Sequence, residues 1–134
     1  MEPKKNSQLL KVSLLLFAVI SLGYGVIYLF FPEVEVKATG AEPIPVGWIR
    51  WFGAVLIPLG IAAIMIYRNP SKQGVFILML AIGNLLVGLT LFYTVLFENE
   101  GIGDIWNTII PAIVHITFSI LFWISLMKSK AVLW

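Results

Sequence analysis

Apolar residues fall into four long runs, about Leu9 to Phe31, Val46 to Tyr67, Val75 to Phe97 and Ile105 to Met127, with polar and charged residues crowded between them. Each run has about 22 residues, and about 20 suffice to cross the hydrocarbon core of a bilayer. In lipid, an isolated extended segment would leave its backbone N–H and C=O groups without partners, so the runs predict four transmembrane helices. Arg68-Asn69-Pro70-Ser71-Lys72 joins the second and third runs tightly and predicts that those helices are antiparallel neighbours. The longest interval, Pro32 to Pro45, holds the alternating stretch Glu33-Val34-Glu35-Val36-Lys37 and the stiff Glu42-Pro43-Ile44-Pro45. It reads as a solvated connector in preference to a cap on the bundle. No second domain, low-complexity tract or inverted repeat interrupts the pattern. The expected fold is all-α: one antiparallel four-helix integral membrane bundle over residues 1–134.

Composition supports lipid as part of the solvent. The chain is 60% hydrophobic and 12% charged, with a mean hydropathy of +0.97, where a soluble domain carries roughly 25% charged residues. Without cysteine, thiol chemistry and disulfides are excluded, and a single histidine argues against a metal cage. The net charge of +2 does not point to nucleic acid, because the basic residues flank the apolar runs. Seven of the nine lie at one face: Lys4, Lys5, Lys11, Arg68, Lys72, Lys128 and Lys130. Lys37 and Arg50 lie at the other, together with Glu33, Glu35, Glu42, Glu98, Glu100 and Asp104. Positive charge collects on the cytoplasmic side, so both termini are expected inside the cell (N-in/C-in) and the protein in the cell's inner membrane. Trp48, Trp51 and Trp106 suit the outer aromatic belt, and Tyr67, Trp123 and Trp134 the inner one. The first run is too long for a signal peptide, and no small-x-small cleavage site follows it.

At 100° per residue, polar and small side chains gather into stripes that should face other helices. The first helix carries Ser13, Phe17, Ser21, Tyr24 and Tyr28; the second Arg50, Gly53, Ile57, Gly60 and Ile64. The third carries Asn84, Gly88, Leu91, Val95 and Glu98; the fourth Asp104, Thr108, Pro111, His115 and Ser119. Asn84 and His115 lie roughly 15 Å deep at 1.5 Å per residue, near the midplane. The stripes predict a pocket opening outward, with Asn84 and His115 as its floor. Arg50, Glu98 and Asp104 stand at its mouth, and Tyr24 and Tyr28 on one wall.

Each of these ligand-binding candidates has a plainer reading. Arg50 snorkels to headgroups or pairs with Glu98. Asn84 staples two helices by a hydrogen bond. His115 bonds a carbonyl or Asn84; a midplane titratable group is nonetheless a functional candidate by default. Tyr24 and Tyr28 pack with satisfied hydroxyls. Glu98 and Asp104 are solvated acids at helix ends, with Asp104 suited to the first turn of its helix.

No carboxylate lies deep enough to orient His115, so no triad is supported and no catalytic residue is assigned. Haem with two protein ligands would need a histidine from a second subunit. Small multidrug exporters share the helix count, but the first helix lacks the glutamate that proton coupling there requires. Binding remains: a mostly apolar pocket with a few polar groups suits a quinone or a lipid, with Arg50 at its head and His115 and Asn84 on a second oxygen. Two other readings stay open, an accessory subunit of a larger membrane complex and an enzyme using His115. The expected partners are the bilayer and other membrane subunits or further copies of the chain in a homo-oligomer, with no nucleic acid.

The segment Trp48-Ile49-Arg50-Trp51-Phe52-Gly53-Ala54, the basic turn with Asn69-Pro70, and Gly83 and Gly88 resemble the DoxX-like superfamily of small bacterial four-helix membrane proteins. The resemblance covers most of the chain by layout and these residues by motif. It implies a bacterial or archaeal inner membrane, with some relatives linked to quinone-dependent sulfur oxidation. Of the candidate residues it carries over Arg50 alone, and the missing cysteine speaks against direct thiol chemistry.

The cysteine-free chain makes the orientation easy to test. A membrane-impermeant maleimide should label Glu42→Cys in intact cells, and Asn69→Cys only after permeabilisation. The reverse pattern would invert the topology.

Overall fold

The computed structural model describes residues 3–40, 46–98, 105–129 and 133–134, with side chains from residue 8 onward apart from those of Thr39 and Glu98. The described residues form five α-helices and one π-helical turn: α1 (Pro3–Phe30), α2 (Pro32–Thr39), α3 (Val46–Arg68), α4 (Gly74–Tyr93) continued by the turn Thr94–Glu98, and α5 (Trp106–Lys128). Four stretches are long and apolar enough to cross a membrane: Gln8–Phe30, Val46–Arg68, Gly74–Phe97 and Trp106–Lys128. They fall within a residue or two of the four hydrophobic runs. Only 28–33% of each is buried inside the protein. Large apolar side chains such as Met79, Ile113 and Met127 are more than half exposed, as expected of surfaces turned to lipid.

The connector after the first span is a helix. Phe31 precedes a proline, which disfavours the helical region; its φ of −132° and ψ of 47° end α1. Pro32 then starts α2, where its missing N–H costs nothing. Glu33 and Glu35 occupy the first turn, Lys37 the last, and each complements the helix dipole there. Gly40 closes the helix at a φ of +64°, a left-handed conformation that side-chain-bearing residues rarely adopt. The alternation of Glu33 to Lys37 is thus wound into a helix whose ends are marked by proline and glycine. Glu42 to Pro45 lie outside the described residues.

The spanning helices pack as two pairs, α1 with α3 and α4 with α5, joined by a smaller contact of α1 with α5. The expected packing of α3 along α4 is corrected: despite the short link, these helices hardly touch. Glycines explain the choice of partner. A Cβ on Gly53 would stand 2.6 Å from the Leu29 backbone nitrogen and 2.9 Å from the Gly25 carbonyl oxygen. One on Gly60 would meet Leu22 at 2.7 Å. The α3 glycines therefore let α1 approach to backbone contact and turn away from α4. Gly88 of α4 does the same for α5, with Ile116 at 2.7 Å and the Ala112 carbonyl oxygen at 3.2 Å.

The two pairs are locked together at the end that carries the termini. Leu10 and Leu14 of α1, Ala63 and Ile66 of α3, Ile77 and Leu80 of α4, and Phe122 and Leu126 of α5 form one buried cluster that also takes in Leu133. Phe17 meets Phe118 and Phe122 edge-on, with ring centroids 5.5 and 5.7 Å away. Such edge-to-face pairs are a favourable ring geometry.

The glycine seam predicts a graded response. Gly53→Ala should lower stability by roughly 1–3 kcal/mol, because the methyl group would collide with backbone. Gly23→Ala, with nothing within 4 Å of its Cβ position, should stay within about 0.5 kcal/mol. Thermal unfolding in detergent measures both, and equal losses would show that the seam does not depend on close approach at Gly53.

Candidate functional site

The polar side chains within the spans mostly find partners on their own helix. The hydroxyls of Ser13, Thr117 and Ser125 donate to the carbonyls of Leu9, Ile113 and Leu121 at 2.9, 2.8 and 2.7 Å. Two groups reach across between α4 and α5 instead. Ser119 Oγ donates to the Ala81 carbonyl at 2.8 Å. Asn84 Nδ2 donates to the Leu80 carbonyl at 2.8 Å, and Asn84 Oδ1 lies 2.8 Å from His115 Nδ1. Asn84 is buried and His115 is half-buried. Among the described residues, every buried side-chain nitrogen or oxygen has a hydrogen-bond partner.

Beside His115 lies a cavity of about 300 Å³, at the small end of the range for ligand sites. From α1 come Phe17, Ile20, Ser21, Tyr24 and Tyr28; from α3, Phe52 and Leu56; from α5, Ile110, Pro111, Val114, His115 and Phe118. Helix α4 contributes no lining residue and acts only through Asn84 behind the imidazole. Ile20, Tyr24 and Ile110 are 38%, 45% and 57% exposed, so the cavity is open along the flank that carries them. The aromatic cluster of Phe17, Phe118 and Phe122 closes the side toward the termini.

At the opposite end the tyrosines form a wall. Tyr24 and Tyr28 meet edge-on at 5.4 Å, and Tyr28 leans on Phe52 at 6.0 Å. The Tyr28 hydroxyl donates to Glu35 Oε1 at 3.3 Å, which ties α2 to this wall. Arg50 Nη2 lies 3.5 Å from Glu33 Oε1, with both side chains more than half exposed. An exposed pair of this length contributes about 0–1 kcal/mol, enough to bias the position of α2.

The structure therefore brings together His115, Tyr24 and Tyr28 at the cavity, with Asn84 one hydrogen bond behind. Arg50 is not in the lining, and among the described side chains it pairs with Glu33. The Glu98 side chain and Asp104 lie outside the described residues. Sequence reasoning did not select the other lining residues as site residues. Phe17, Ser21 and Pro111 were on the inward stripes and legible as such. Phe52 and Leu56 carry no signal in the sequence that separates them from lipid-facing neighbours. Among the described residues no three His, Asp or Glu side chains gather as metal ligands would.

No protein-family model, no curated protein and no solved structure matches the chain.

Ser119→Ala should cost about 1 kcal/mol by removing the bond to Ala81. Asn84→Leu should cost more, because it strands His115 Nδ1 beside an apolar helix. Chemical denaturation in mixed micelles measures both; an unchanged Asn84→Leu variant would show that the pair contributes nothing to helix association.

Proposed function

We propose that this chain is an inner-membrane protein, its spans antiparallel and both termini cytoplasmic, that binds an amphiphile in the cavity between α1, α3 and α5. The observation that carries the reading is the cavity itself: an aromatic and aliphatic wall with one imidazole on it. A site of that composition suits an apolar molecule with one polar head, and the open flank at Ile20, Tyr24 and Ile110 would let a lipid-soluble ligand enter from the bilayer. Tyr24 and Tyr28 belong to the site. Arg50 and Glu33 hold α2 over the neighbouring helix ends. Asp104 and Glu98 stay as candidates for the mouth on sequence grounds. The orientation rests on the charge distribution, with seven of nine basic residues at one face. Membership of the DoxX-like superfamily, implied by Trp48 to Ala54, belongs to the same reading and would add a quinone to the lipids that suit the site.

Native mass spectrometry of protein extracted gently from its own membrane should show a discrete small-molecule adduct. Leu56→Trp, which fills the cavity, should remove it, whereas Met127→Trp on the exposed face should not. A bare protein, or a stable complex with other subunits and no adduct, would make a structural subunit the better reading. An adduct indifferent to Leu56→Trp would place the ligand elsewhere.

A further inference from the structure

The hydrogen bonds around Asn84 and His115 determine which kind of head group the cavity takes. The Leu80 carbonyl can only accept, so the Asn84 group facing it at 2.8 Å is the NH2, and the carbonyl oxygen Oδ1 faces His115. A carbonyl oxygen also only accepts. The 2.8 Å contact therefore requires a proton on His115 Nδ1. An uncharged imidazole carries one N–H, and among the described residues no carboxylate lies in the cavity lining to favour a second. With Nδ1 protonated, Nε2 presents a lone pair. Among the described residues Nε2 has no partner, and no unpartnered nitrogen is sealed away, so this edge of the ring is left to the cavity that His115 lines.

We infer that the site takes an amphiphile by its hydroxyl group, the ligand's O–H donating to Nε2 of His115. This rests on the amphiphile-binding reading and narrows it. An aromatic or isoprenoid alcohol, a phenol or a hydroquinone satisfies the lone pair. A ketone, an ether or an oxidised quinone puts a second acceptor against it and leaves both unpaired, a loss that a dry site does not forgive. The Tyr24 hydroxyl has no protein partner among the described residues and lies on the same lining, so it is available to the ligand oxygen's own lone pairs. Asn84 is then a positioning residue: it never touches the ligand and holds the tautomer that does.

An octyl-substituted phenol and its methyl ether differ only in that O–H, and their binding to the detergent-purified chain can be compared by calorimetry. The phenol-to-ether affinity ratio in wild type is divided by the ratio in His115→Phe, which cancels partition into micelles. The expected quotient is about tenfold. It should fall toward one in Asn84→Leu, where the proton is free to move to Nε2; a helix that was merely loosened would weaken both probes alike. Measurable binding of both probes with a quotient of one would overturn the hydroxyl preference and leave amphiphile binding standing. A preference for the ether would likewise overturn it, because no lone pair at Nε2 would favour the molecule that lacks the O–H. Binding of neither probe to wild type would remove the cavity as a ligand site and this inference with it.

Discussion

A polar side chain in hydrocarbon has no water to fall back on, and this constraint organises the described part of the molecule. Ser13, Thr117 and Ser125 meet it within their own helices and so impose nothing on the fold. Asn84, His115 and Ser119 meet it across the α4–α5 interface, so those helices are held in register by hydrogen bonds as well as by the notch at Gly88. The α1–α3 pair uses other physics. Its contact is backbone on backbone where Gly53 meets Gly25 and Leu29, and backbone against the Leu22 side chain at Gly60, so dispersion over a close approach replaces hydrogen bonding.

The cavity follows from having two differently built pairs. They meet through α1 and α5, and the ring cluster of Phe17, Phe118 and Phe122 fills that meeting on the side of the termini. Beyond Phe17 the pairs no longer fill the space between them. Pro111 and Ser21 are small there, and the tyrosines lie against one another and against Phe52. What is left is an apolar space open on one flank. One member of the polar network that links α4 to α5, His115, also lines that space, with Asn84 hydrogen-bonded behind it.

Among the described helices, α2 is the short one that is not apolar enough to cross a membrane. Its contacts to the rest include a hydrogen bond from Tyr28 and an exposed ion pair with Arg50. The bond from Tyr28 ties it to the tyrosine wall.

Hydropathy by itself determined the four helices long and apolar enough to cross a membrane and their ends to within a residue or two. These are properties of a segment in its own solvent and need no knowledge of neighbours. The 3.6-residue period also determined that Ser13, Phe17, Ser21, Gly53, Gly60, Asn84, Gly88 and Ser119 turn inward, and all are buried. The pairing of α1 with α3 in place of α3 with α4, and the ion pair of Arg50 with Glu33, came only with the tertiary structure. So did the inclusion of Phe52 and Leu56 in the cavity. A stripe on a helix says which residues seek a neighbour, whereas the neighbour depends on how each helix is rotated and how closely each backbone can approach. The α2 helix stands between the two cases: its proline, acidic first turn and closing glycine were present in the sequence. The alternation of Glu33 to Lys37 obscured them, because in so short a segment a two-residue pattern and a helical one differ by only a residue or two.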